Sequence, residues 1–214
     1  EEVAWDEDAF YQDGWDDWTD IQMAALKALA AMGREEAVGD MVHAIADPDG
    51  QDLTEVGFGA LARLGGAGAE ALANFVDDTD PRLRRRAVAA AVNAEEPAAE
   101  ACIGRALTDG DVGVRLAAAA SAAARDAADG RLEALFEDGS AEVRVAAIHL
   151  CGAHFPDRVA ALTKFRKIPV RRAAFRCLDE TPYLLAPGRR KRIANAGLAS
   201  NDPVIASHAI SILA

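Results

Sequence analysis

The sequence predicts an all-α fold, a right-handed α-solenoid of about seven stacked helical pairs. Three observations carry this expectation. A short phrase recurs at helix–turn–helix intervals, the apolar positions around it keep helical periodicity, and alanine dominates the apolar share. Hydrophobic residues make up 51% of the 214 residues but aromatics only 6%. Alanine is the strongest helix former and a very small core side chain, so an interior built from it brings helices close together.

The phrase is an aliphatic residue, often followed by Arg, then two variable positions and Ala. It reads Leu83-Arg84-Arg85-Arg86-Ala87, Val114-Arg115-Leu116-Ala117-Ala118, Val143-Arg144-Val145-Ala146-Ala147 and Val170-Arg171-Arg172-Ala173-Ala174. Copies without the Arg run from Ile21 to Ala25, Val56 to Ala60 and Ile205 to Ala209. The closing Ala thus recurs at intervals of 35, 27, 31, 29, 27 and 35 residues, the range of a helical repeat. One residue beyond it stands Leu26, Leu61, Val88, Ala119, Ile148, Phe175 or Ile210. Apolar residues at i, i+4, i+5 and i+8 trace one face of a helix, so each phrase marks the buried face of the second helix of its repeat.

The first helices are more loosely written, over 36–46, 67–76, 98–107, 130–136, 158–165 and 189–198. Turn chemistry separates the two helices of a repeat: Asp47-Pro48-Asp49-Gly50, Asp77-Asp78-Thr79-Asp80-Pro81, Thr108-Asp109-Gly110-Asp111, Glu137-Asp138-Gly139-Ser140 and Asn201-Asp202-Pro203. Asp, Asn or Ser before a helix satisfies its free N–H groups, and Pro fits the first helical position because no donor is needed there.

These phrases resemble HEAT repeats, especially the short bacterial and archaeal kind grouped with phycobilisome-lyase HEAT-like repeats, over residues 20–214. An Asp lies six residues before the repeat Arg in three successive copies: Asp78 and Arg84, Asp109 and Arg115, Asp138 and Arg144. The resemblance implies that these six form a ladder between neighbouring repeats. The pattern lapses at Arg171, which has Phe165 at that place. In HEAT-type stacks the second helices line the concave side, which implies a partner-binding groove along Phe58, Arg85, Leu116, Val145, His149, Arg172 and Arg176.

Residues 1–20 differ in kind and are expected to form an acidic, aromatic cap segment before a solenoid spanning 21–214. They hold all three tryptophans, Trp5, Trp15 and Trp18, among nine acids and no base. The stretch from Asp157 to Arg192 is the opposite, with eleven bases against three acids, a net of +8 on a chain of net −12. Such a patch orients an acidic partner at encounter, and it complements the leader of another copy head to tail. The overall charge argues against nucleic acid as a general partner and against anionic membranes. No apolar run is long enough to span a bilayer. Cys102, Cys151 and Cys177 form no metal-binding or redox spacing and read as reduced core residues, the pattern of a cytoplasmic protein. The first residue is Glu1 and not Met, which reads as a piece of a longer protein.

Catalysis needs converging groups, and no nucleophile elbow, phosphate loop or zinc-protease motif occurs. His43, His149, His154 and His208 are dispersed. The expectation is therefore a non-catalytic protein-binding module (scaffold, adaptor or inhibitor) without metal or cofactor. Its partner is a protein or peptide with an acidic or amphipathic segment. The family likeness leaves two alternatives open: a nucleic-acid-binding or DNA-glycosylase-type protein using the basic C-terminal repeats, and a bilin-lyase-like protein.

Overall fold

The computed structural model describes residues 18–47, 50–95, 97–126 and 128–214. The expected cap segment therefore lies outside the described residues except for Trp18, Thr19 and Asp20, and the last two already belong to the first helix. Among the described residues there are α-helices and 3-10 helices and no strand. The chain divides into two compact units, residues up to Glu100 and Ala101–Ala214.

The first unit holds α1 (Thr19–Ala31), α2 (Val38–Ala46), α3 (Thr54–Arg63), α4 (Gly66–Phe75) and α5 (Pro81–Ala91). The boundary falls within α6 (Ala98–Ala106). The second unit continues with α7 (Val112–Arg125), a 3-10 helix over Gly130–Glu137, α8 (Ala141–Cys151), α9 (Pro156–Leu162), α10 (Ile168–Glu180), α11 (Pro187–Leu198) and α12 (Pro203–Leu213). Each unit is an α-solenoid stack. In the first, the second helices α1, α3 and α5 pack side by side in chain order; in the second, α7, α8, α10 and α12 do the same. The closing Ala of the phrase is fully buried in five copies, at Ala87, Ala118, Ala147, Ala174 and Ala209. The end copies depart from the pattern. Ala25 is exposed, and so are Ile21 at one end and Ile210 at the other.

Local chemistry explains where the second helices begin. In α5, α7, α8 and α12 the N-cap side chain accepts a backbone N–H of the first turn: Asp80 from Arg82, Asp111 from Val114, Ser140 from Glu142 and Asp202 from Ile205. Two residues earlier a second oxygen accepts the N–H of that N-cap residue, from Asp78, Asp109 and Asp138 at 2.7 Å and from Ser200 at 3.2 Å. The paired acceptors fix both the turn and the helix entry. Helix α10 lacks them, since Phe165 and Lys167 occupy those places, and its cap makes no side-chain bond.

The repeat arginines tie each turn to its own repeat. Arg84 donates to the carbonyl of Asp78 at 2.9 Å, Arg115 to that of Asp109 at 2.8 Å, and Arg144 to those of Asp138, Phe136 and Glu137. Within the second unit the same arginines also reach the next repeat in constant register. Arg115 makes a two-pronged contact with Asp138, Nε to Oδ2 at 2.8 Å and Nη2 to Oδ1 at 3.0 Å. Arg144 lies 4.3 Å over the ring of Phe165. Arg171 donates to the Ser200 hydroxyl at 3.0 Å. One position therefore supplies a carboxylate, an aromatic face and a hydroxyl in turn, and the lapse at Phe165 is filled by a cation–π contact.

Close packing also constrains α11. A methyl group on Gly197 would stand 2.4 Å from Phe175 Cε1 and 2.9 Å from the Cβ of Ala209, so only glycine lets α11 lie against α10 and α12. Gly197→Ala is expected to destabilise the fold by roughly 1–3 kcal/mol through overpacking. Gly188→Ala, with open space at its Cβ, is expected to be neutral or slightly stabilising; paired thermal melts check this.

The Arg115–Asp138 pair is mostly buried, with side-chain exposures of 14% and 10%. Burial pushes the Asp138 carboxyl up, but the Arg115 guanidinium, the Ser140 N–H and the charges of Arg115 and Arg144 outweigh it and hold the group below its ordinary 3.8. A carboxylate lowered by folding adds stability above its unfolded pKa, and that stability disappears as the pH falls through the folded value. Asp138→Asn is expected to cost about 3 kcal/mol at neutral pH. The difference from wild type should narrow as the pH falls below 3.8, measured by urea unfolding across pH.

Candidate functional site

The expected groove residues fall into three groups. Phe58 is fully buried and packs at a tilt against Phe75 with ring centroids 4.7 Å apart, so it belongs to the core and not to a groove. The reason is local: α3 packs against α1, α2, α4 and α5, which leaves it no open face at Phe58. Leu116 and Val145, at the same place in the phrase, are half-buried, while Arg85 and His149 are exposed. Arg172 and Arg176 are exposed but already engaged. Arg172 forks onto Asp202 at the start of α12, with Nη2 to Oδ2 at 2.7 Å, and Arg176 pairs with Glu180 one turn along α10 at 2.7 Å. The Arg172 guanidinium holds the Asp202 carboxyl below its ordinary value, helped by backbone N–H groups and opposed by burial.

A concavity of the second unit lies elsewhere, between the first helices α9 and α11, with α10 as its floor. It is a cleft of about 1130 Å³. Helix α9 is only seven residues long and contributes its last turn, whereas α11 runs for twelve and lines the cleft from Arg189 to Gly197. The two walls are tied at one end by the Asp157–Arg189 ion pair. The apolar lining comes from Phe175 and Ile205, which are buried, and from Ile168 and Ile193, which are open to the cleft mouth; Ile168 is 44% exposed.

Cations dominate the polar lining. Arg171 rises from the floor beside Ser200. Lys164 just beyond α9 and Arg192 on α11 are exposed on the two walls and have no ion-pair partner among the described residues. The lining carboxylate is Asp202, which Arg172 and the α12 N-terminus neutralise. An apolar floor under unpaired cations suits an anionic ligand with apolar parts. Lys164 and Arg192 were visible in the sequence as members of the basic stretch, but nothing in the pattern singled them out. Like Arg166, Lys167 and Lys191 they have no ion-pair partner among the described residues, and what distinguishes them is their place in the cleft lining.

A smaller hollow of about 330 Å³ lies where α8 and α10 end, lined in part by His149, His154 and Cys177. Among the described residues no three His, Cys, Asp or Glu side chains are placed to hold a metal ion. Burial pushes the Cys151 thiol up to about 12, and its Sγ lies 3.1 Å from the Ala147 carbonyl, the surroundings of an inert core thiol. Among the described residues no helix is long and apolar enough to cross a membrane.

No family model matches the chain, and no curated protein sequence matches it. Among solved structures it is similar to a designed armadillo repeat protein in complex with the peptide (KR)4, at 15% identity over 81% of this chain and 97% of that one, with a TM-score of 0.49. It is also similar to computationally designed armadillo repeat proteins for modular peptide recognition, at 18% identity over 81% and 97%, with a TM-score of 0.47. The complex of CpcE and CpcF of phycocyanin lyase from a Nostoc species is similar at 16% identity over 91% and 88%, with a TM-score of 0.42.

Proposed function

We propose that this chain is a HEAT-like protein-binding module without catalysis of its own, and that it takes an acidic, partly apolar segment of another protein in the cleft between α9 and α11. The observation that carries the reading is that two cations without a described ion-pair partner, Lys164 and Arg192, line the same cleft as Ile168, Phe175 and Ile193. Carboxylates meeting them escape the full cost of desolvation only if the cations are not already engaged, which removes Arg172 and Arg176 as anchors. Apolar side chains between those carboxylates reach Ile168 and Ile193 and supply the larger share of affinity.

Selection of displayed random peptides against the intact protein tests this. The enriched peptides should carry Asp or Glu around one or two apolar residues. Reversing both cations, Lys164→Glu with Arg192→Glu, should weaken them at least about tenfold. An equal reversal at Arg63 and Arg82 on the first unit should leave them unchanged. Enrichment of basic peptides, or of peptides indifferent to the cleft reversal, overturns the reading.

A further inference from the structure

The strongest acidic, apolar segment available to the cleft is in the chain itself. Residues 1–17 carry eight acids and no base, with Trp5, Phe10, Tyr11 and Trp15 among them. We propose that this leader of one copy occupies the cleft between α9 and α11 of a second copy. The inference rests on the reading of the cleft as a site for an acidic, partly apolar segment.

Charge singles out this pairing. The stretch 157–192 is +8 in a chain of −12, which leaves −20 on the remainder. An acidic leader approaching a second molecule is therefore repelled by most of it and attracted where the basic stretch lies. Within that stretch four cations are engaged by acids of their own chain: Arg158 by Glu133 and Glu137, Arg172 by Asp202, Arg176 by Glu180 and Arg189 by Asp157. Of the cations without a described ion-pair partner, Lys164 and Arg192 line the cleft. Lys164 and Arg192 stay available, and they stand beside the apolar surface that aromatic side chains need. The leader interleaves its aromatics with its acids, so one segment meets both demands. Aromatic anchors give large contact area with few rotatable bonds, and the rim charges set orientation and encounter rate.

The contact joins two different surfaces of the same chain. It is heterologous and leaves a free leader at one end and a free cleft at the other, so copies add head to tail instead of closing as a two-fold pair. That topology gives the test. At low salt the wild-type chain should grow beyond dimers as its concentration rises in sedimentation runs, and return to monomers at about 0.5 M salt. Two variants should each remain monomeric: a cleft variant, Lys164→Glu with Arg192→Glu, and a leader variant that loses its aromatic anchors, Trp5→Ser with Trp15→Ser. Mixed in equal amounts, they should form dimers and nothing larger, because one intact leader then meets one intact cleft. The three tryptophans all lie in residues 1–18, so their emission should shift to the blue on mixing and not in either variant alone.

A wild-type chain that stays monomeric at every concentration overturns the self-docking. So does a variant mixture that stays monomeric, or wild-type growth that the cleft variant retains. If peptides selected on the cleft still bind while the chain stays monomeric, the cleft reading stands and the leader alone is rejected. If the selected peptides also ignore the cleft reversal, both are rejected.

Discussion

At one place in each repeat phrase the stack buries a side chain that is a single methyl group. Ala118, Ala147, Ala174 and Ala209 sit without solvent exposure in the second unit, and Ala87 does so in the first. Interaxial distance follows the size of the contact residues, so alanine at this position sets a short, constant spacing. Gly197 performs the same service for α11 against Phe175 and Ala209. Most other features inherit that spacing. The arginine arms reach the next repeat because it is near, and the N-cap turns coincide from repeat to repeat because the helices start in step.

The arginine contacts show how a fixed register tolerates changing chemistry. Arg115, Arg144 and Arg171 project from equivalent places and find a carboxylate, a phenyl ring and a hydroxyl. A guanidinium suits all three, since it is planar, always charged, rich in donors and weakly hydrated. Arg115 and Arg144 also bind carbonyls of their own turns, so their positions do not depend on one partner. The three contacts differ in strength and in response to pH. Only Asp138 among the three facing groups titrates, and its buried pair makes the Arg115 contact the acid-sensitive one.

Most of the fold was legible because it is written in period and punctuation. The phrase that ends at Ala87 or Ala147 names its helix, and Asp-Gly-Asp or Asp-Gly-Ser names the turn before it. The site was less legible. Helical phase put Phe58 opposite the buried face of α3, but phase on one helix does not say how many neighbours surround it, and four do. The basic stretch was plain as composition, yet which cations remain available is decided by acids distant in the chain, such as Asp157 for Arg189 and Asp202 for Arg172. The lapse at Phe165 looked like a broken ladder because the pattern was read as carboxylate chemistry, whereas the requirement at that place is any group that attracts a guanidinium.

The shortness of α9 has an evolutionary side. Seven helical residues rise about 10 Å and twelve about 18 Å, so the cleft is the missing upper half of one rod beside a complete one. Lengthening α9 would extend it over this space without changing any residue of α10 or α11. In a repeat array such length changes are tolerated because each unit contacts only its neighbours. A lineage can thus open, enlarge or erase a docking place by a small insertion or deletion, independently of the alanine and arginine positions that keep the stack standing.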